Sequence, residues 1–139
     1  MQLESAILKP LVSLDKNLVG TKLRVVGRLL AYDLSTAYAL LLDDGIAILV
    51  DTTWCLEPRF STWVKEPLCT LMVIGYLEAS EVELPVPSIP GHAPAPQVDC
   101  YLVLRALLVM KAEDLDLTFW KRETEMVQDS VDKLGRQNV

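Results

Sequence analysis

The sequence predicts an all-β fold class, a five-stranded barrel followed by a C-terminal α-helix. Five apolar segments of strand length follow one another between residues 22 and 111. Turn signals or an irregular crossover separate most of them, and after Asp114 the spacing of apolar residues becomes helical. Strands this apolar favour a sheet that closes on itself, because closure removes exposed edges.

The first predicted strand spans residues 22–32, and its two faces differ in character. Gly27 in its middle predicts a bulge or a sharp bend, which a small barrel needs where one strand serves both halves of the sheet. The alternation places Leu23, Val25, Leu29 and Ala31 on one face and Lys22, Arg24, Arg28 and Tyr32 on the other.

Residues 36–43 and 46–51 are the second and third predicted strands. Asp44-Gly45 between them is a hairpin signal, because glycine tolerates a positive φ. Residues 54–66 then break the period of two and predict a short helix or an irregular crossover.

The fourth and fifth predicted strands, residues 68–78 and 99–110, flank a long proline-rich loop at residues 79–98. Gly75 indicates a second bend near the end of the fourth strand. Proline removes hydrogen-bond donors, so we expect an exposed loop from which residues 83–96 can be deleted without loss of the fold. Its prolines are Pro85, Pro87, Pro90, Pro94 and Pro96.

Residues 114–134 have the spacing of an amphipathic helix. Asp114 or Asp116 can cap its start, and Gly135 can end it. Apolar positions recur at intervals of three and four over about five turns, which predicts a continuous seam along one face. The seam consists of Leu117, Trp120, Thr124, Val127, Val131 and Leu134.

The order of these elements is that of the OB-fold, a partly open Greek-key barrel whose third and fourth strands are joined by a helical crossover. An SH3-like barrel is the competing fold. The sequence predicts a single domain with an N-terminal arm at residues 1–20, a barrel at 22–111 and a helix at 114–134.

The charge balance excludes a strongly basic, free-standing nucleic-acid binder. The formal net charge is −6, whereas phosphate contacts need Lys and Arg. The N-terminus lacks the basic start of a signal peptide, and no apolar run is long enough to span a membrane. We therefore expect a soluble intracellular protein that binds nucleic acid weakly when alone.

The sequence indicates neither an enzyme nor a metal or cofactor site. Cys55, Cys69 and Cys100 match no zinc-binding spacing, and the single histidine, His92, has no neighbouring ligands. The adjacent carboxylates Asp43 and Asp44 precede a glycine, which is typical of a turn. We expect no catalytic residues.

Basic and aromatic residues on the strands are candidates for nucleic-acid contact. OB-folds stack bases on aromatic rings and neutralise phosphates with cations. The alternation places Arg24, Arg28 and Tyr32 on one face of the first predicted strand, and Tyr101 and Arg105 on one face of the fifth. The alternative is that all five side chains are solvated or pack against the helix. The candidates are Arg24, Arg28, Tyr32, Tyr101 and Arg105.

The helical seam predicts a protein–protein contact. Closing one barrel requires only part of a seam of this length, and a helix from a second protein would bury the rest. The alternative is that the whole seam, from Leu117 to Leu134, packs on its own barrel.

Several segments carry a family resemblance. Residues 20–33 (GTKLRVVGRLLAYD), Leu56-Glu-Pro-Arg-Phe60 after Val50-Asp-Thr-Thr, and residues 71–78 (LMVIGYLE) resemble the smallest (Ten) subunits of CST telomere-capping complexes. With the closing strand and helix, the similarity covers roughly residues 20–78 and 99–134. The proline-rich loop is longer than that family leads us to expect.

The resemblance implies a non-catalytic subunit in the nucleus, at telomeres. It implies pairing with the middle (Stn) subunit, and indirect contact with the large CST subunit and with polymerase α–primase. Its role would be binding telomeric single-stranded DNA, protecting chromosome ends and supporting C-strand fill-in.

Two other OB complexes share parts of this pattern. The smallest subunit of replication protein A has the same element order and a terminal helix. The small OB subunit of the RecQ helicase–topoisomerase dissolution complex has a Trp-bearing final helix similar to residues 117–127. An unrelated β-barrel, including an enzyme, is the third possibility.

Overall fold

The computed structural model describes residues 6–55, 68–89, 91 and 95–112. Five long strands form the sheet, each from one of the predicted apolar segments. Within the described residues, a two-residue strand, β1 (Ile7–Leu8), precedes them. The long strands are β2 (Lys22–Asp33), β3 (Tyr38–Asp43), β4 (Ile46–Asp51), β5 (Thr70–Ala79) and β6 (Gln97–Lys111).

The long strands close into a barrel. Their order is β2-β3-β4-β6-β5, and β5 pairs back onto β2. β4 and β6 run parallel, while the other pairs of long strands are antiparallel. This is the OB-fold order, so the predicted fold class is confirmed. The predicted helix at residues 114–134 lies outside the described residues, as does most of the predicted crossover at 54–66.

The N-terminal arm runs along β2 and then turns under the barrel. Ile7 and Leu8 pair in parallel with Leu23 and Arg24. A 3₁₀ turn at Leu11–Ser13 follows, and Leu11 is buried against the residues inside the barrel. From residue 6 onward the arm is extended, with two short 3₁₀ turns.

The predicted hairpin turn is confirmed. Asp44 (φ 53°) and Gly45 (φ 78°) both have positive φ, which is the signature of a type I′ turn. This turn type matches the right-handed twist of β3 and β4 and fixes their register.

The bulge in β2 is three residues beyond the predicted position. Gly27 pairs regularly with Leu71, whereas the register against β3 shifts between Leu29 and Ala31. Because one extra residue reverses the alternation, Ala31 lies on the outer face and Tyr32 on the inner face. Their neighbours agree: Ala31 packs against an outer cluster and Tyr32 against the interior.

A second apolar cluster lies outside the barrel, under the proline-rich loop. Leu84 and Ile89 of the loop pack against it, and Pro87 is buried. The Leu84 amide also donates to the carbonyl oxygen of Cys100, at 2.9 Å. Most described loop residues are exposed, as predicted, but Leu84, Pro87 and Ile89 pack on the barrel, and the strands at either side shorten the loop to residues 80–96. The buried cluster consists of Leu30, Leu40, Ala47, Leu49 and Val103.

Candidate nucleic-acid and partner-binding surfaces

The outer side of β2, β5 and β6 carries most of the basic candidates, and we call it the β2–β5–β6 face. Strand register arranges its outward side chains in cross-strand rows. The rows are Lys22–Tyr76–Arg105, Arg24–Ile74–Leu108, Val26–Met72–Met110 and Arg28–Thr70. Three basic residues thus line the β2 side of the face, next to an apolar centre.

Arg24 and Arg28 lie on the same face of β2, as the alternation predicted. The Arg28 side chain is exposed, so its guanidinium can reach a phosphate. Arg24 is half-buried, and its Nε atom is buried without a hydrogen-bond partner in the described part of the chain. A buried guanidinium nitrogen left unpaired is costly, so this position favours an added acceptor.

Arg105 lies on the same face but is already paired. Its guanidinium is 3.2 Å from a carboxylate oxygen of Glu78, and both side chains are nearly half exposed. An exposed ion pair of this kind contributes about 0–1 kcal/mol, so a phosphate can compete for Arg105.

The two tyrosines do not join Arg24 and Arg28 in one site. Tyr32 is on the inner face after the bulge, so its predicted grouping with Arg24 and Arg28 is wrong. Tyr101 is 46% exposed but lies beside Ser80, whose amide donates to the Tyr101 carbonyl oxygen at 2.8 Å. Arg28 pairs with Thr70, which precedes Ser80 by ten residues. That separation is about 33 Å along an extended strand, so Tyr101 and Arg28 lie far apart.

The surface that OB-folds commonly use for oligonucleotides is covered in this chain. That surface is the outer side of the second and third barrel strands, between two loops. Here it bears Leu40 and Leu49, which the loop residues Leu84 and Ile89 bury. An apolar face covered by its own loop leaves little open surface for a nucleic acid.

A groove of about 590 Å³ lies between the N-terminal arm and the start of β6. Leu11, Ile46 and Ile48 contribute apolar side chains to it, and its charged residues are Glu83 and Asp99. Two carboxylates without a lining Lys or Arg repel phosphate, so the groove does not suit a nucleic acid. Sequence reasoning missed this groove, because it forms where β6 leaves β4 between Val98 and Val103.

Sequence reasoning also missed the apolar centre of the β2–β5–β6 face. Leu107, Leu108 and Met110 are each 43–48% exposed, and Met72 and Ile74 are half-buried beside them. The signal was present in the apolar outward positions of both strands. Apolar residues occupy both faces of β6, so the pattern alone does not distinguish an exposed apolar face from a buried one.

Two described titratable groups have shifted pKa values, one in a turn and one in a half-buried thiol. Hydrogen bonds from the Ser35 hydroxyl and amide lower the pKa of the exposed Asp33 carboxyl, which closes a turn. Burial, with the nearby Asp51 charge, raises the pKa of the Cys55 thiol and makes it a poorer nucleophile at neutral pH. Among the described residues, no cluster of potential metal ligands occurs. His92 and the six seam residues lie outside the described residues.

No protein-family model matches the chain, and neither does any curated protein. Solved structures do match it. A chain of the S. pombe Stn1–Ten1 complex superposes with a TM-score of 0.64 at 19% identity, covering 91% of this chain and 94% of that chain. The S. pombe telomere capping protein Ten1 superposes with a TM-score of 0.62 at 18% identity, covering 90% and 99%.

Aminoacyl-tRNA synthetases match over a smaller share of their length. The asparaginyl-tRNA synthetase of Entamoeba histolytica has a TM-score of 0.57 at 12% identity, and the match covers 82% of this chain but 25% of the synthetase. At these identities the similarities show the shared fold, an OB barrel. The described residues contain no helix that is long and apolar enough to cross a membrane.

Proposed function

We propose that this chain is the small, non-catalytic OB subunit of a CST-type complex at telomeres in the nucleus. The observation that carries the proposal is reciprocal coverage: the S. pombe Ten1 structure and this chain match over 99% and 90% of their lengths. A synthetase shares only a quarter of its length with this chain. The segments resembling Ten subunits support the same assignment from the sequence.

The partner in this proposal is the Stn-type middle subunit. The structural match to a chain of the S. pombe Stn1–Ten1 complex supports a partner of that kind. The sequence predicts a means of contact, the seam from Leu117 to Leu134, which on a helix would be longer than one small barrel needs. The large subunit and polymerase α–primase are indirect partners through this pairing.

The share of this chain in DNA binding is minor in the proposal. The net charge is −6, and the common OB ligand surface is covered by the chain's own loop. Arg28, with Arg24 and Arg105, remains able to contact phosphates of telomeric single-stranded DNA that a partner holds. The chain thus serves mainly as a structural subunit in end protection and C-strand fill-in.

Co-purification tests the assignment to one complex. The tagged chain, expressed at its natural level in its own cells, is isolated and its stoichiometric partners are identified by mass spectrometry. We expect the middle and large CST subunits, and enrichment of telomeric repeats in crosslinked chromatin. Recovery of replication protein A subunits, or of a RecQ helicase with a topoisomerase, would assign the chain to a different complex.

A further inference from the structure

The centre of the β2–β5–β6 face is an exposed apolar strip, composed of Met72, Ile74, Leu107, Leu108 and Met110. The three β6 residues are each 43–48% exposed. Contiguous exposed apolar residues on a soluble domain mark a binding surface, because water contact with them is unfavourable. We therefore expect another segment or protein to cover the strip.

The strip leads directly to the C-terminal segment. Met110 lies two residues before Ala112, whose amide donates to the Thr70 carbonyl oxygen at 2.8 Å. The chain therefore passes residue 112 at the edge of the strip, with 27 residues still to follow. The tether gives this segment a high effective concentration at the strip, which a separate protein lacks.

The charge around the strip suits the same segment. Lys22, Arg24 and Arg28 line its β2 side, and the buried Nε of Arg24 has no acceptor within the described part of the chain. Residues 112–139 carry seven acidic and four basic side chains. An acidic segment placed against this basic edge is favoured, and a carboxylate there can accept from Arg24.

The C-terminal segment carries a second apolar stripe besides the seam. On a helix with 100° per residue, Leu115, Phe119 and Met126 fall within about 40° of one another. They lie about 130° around the predicted helix from the centre of the seam. One helix can therefore bury two apolar faces against two different surfaces.

We infer that residues 114–126 dock on the apolar strip through Leu115, Phe119 and Met126, leaving the seam for the partner. The dimensions agree. Leu115 and Met126 are eleven residues apart, about 16 Å on a helix. The apolar rows of the strip, those of Arg24 and Val26, are two residues apart on β2, about 7 Å, and with the flanking Lys22 and Arg28 rows the β2–β5–β6 face extends about 20 Å. The assignment of the seam to the partner rests on the proposed function, whereas the docking on the strip does not.

Hydrogen exchange on the full chain without a partner tests the docking. We expect amides of residues 115–126 to be protected in the wild-type chain. The double substitution Leu108→Asp with Met110→Asp should lower that protection at least about tenfold, since it places charges against the docked stripe. Phe119→Asp should have the same effect from the other side. Amides of β2 to β5 should keep their protection, because the Leu108 and Met110 side chains lie outside the barrel interior.

A matched control adds charge elsewhere. Leu34 is 81% exposed in the turn after β2, so Leu34→Asp should leave protection of residues 115–126 unchanged. The inference is overturned if these amides exchange freely in the wild-type chain, or if the strip variant leaves their protection intact. It is also overturned if the strip variant only dissociates a homodimer or only weakens partner binding, because a second copy or the partner then occupies the strip.

The docking and the proposed function can be contradicted independently of each other. Loss of partner binding in a Val127→Asp and Val131→Asp variant, with residues 115–126 still protected, supports both. Undiminished binding of that variant to a middle subunit contradicts the seam mechanism but leaves the docking standing.

Discussion

Gly75 allows β5 and β6 to approach each other at their register shift. A Cβ atom built on Gly75 would lie 2.2 Å from the Arg105 carbonyl oxygen and 2.9 Å from the Cα of Ala106. Both contacts are to backbone atoms, which cannot turn away as a flexible side chain can. Gly75→Ala should therefore lower the free energy of unfolding by about 3 kcal/mol through forced separation of the strands.

Gly45→Ala is the matched control, because Gly45 has positive φ and open space around its Cα. Only the backbone conformation penalises this alanine, by about 1 kcal/mol. Urea unfolding of both variants measures the difference. Equal destabilisation by the two alanines would contradict the close approach at Gly75.

At the residue scale, turn chemistry was predictable and bulge position was not. Asp44-Gly45 predicts its turn, because few other residue pairs adopt two consecutive positive φ values. The β2 bulge is hidden, because Leu29, Leu30 and Ala31 are all apolar and a face reversal among them leaves no mark in the pattern. Tyr32 was placed on the wrong face for this reason.

At the element scale, the proline-rich loop contributes to stability. Deleting residues 83–96 removes Leu84 and Ile89 from the outer cluster and exposes Leu40 and Leu49 beneath them. Such losses cost about 2–5 kcal/mol. We expect Tm to fall by about 10 °C or more in thermal unfolding followed by circular dichroism.

Substitutions inside the intact loop separate packing from loop length. Leu84→Ala with Ile89→Ala should reproduce most of the loss, whereas Val82→Ala should be neutral, because Val82 is 68% exposed. A deletion that shifts Tm by less than about 3 °C would show that the loop does not stabilise the barrel. Proline content indicated a non-strand segment, but no local pattern reveals that two of its apolar residues cover β3 and β4.

At the scale of the whole molecule, the negative net charge and the covered OB surface both weaken DNA binding by the isolated chain. The isolated chain should bind telomeric single-stranded DNA with a Kd in the micromolar range or weaker at physiological salt. Fluorescence anisotropy with a labelled oligonucleotide of telomeric repeats measures it. Nanomolar, sequence-selective binding by the lone chain would mean that a nucleic-acid site exists outside the surfaces described above.

The barrel topology was predictable because it depends on element order, which five apolar segments and their connections reveal. The surfaces were less predictable, since they depend on which distant strands become neighbours. The β2–β5–β6 face joins residues about 50 and 80 positions apart in the sequence, and only the register of the closed sheet aligns them.

The affinity of the chain for its own middle (Stn-type) subunit tests the central claim most directly. Titration calorimetry compares the wild-type chain with the Val127→Asp and Val131→Asp variant. Lys133→Asp is the control; it changes the charge by the same amount and lies off the seam. We expect one-to-one binding by the wild-type and control chains, and a loss of at least about 100-fold in the seam variant, because two charges would be desolvated in the contact. A folded seam variant that binds as tightly as the control would contradict a partner contact through the helical seam.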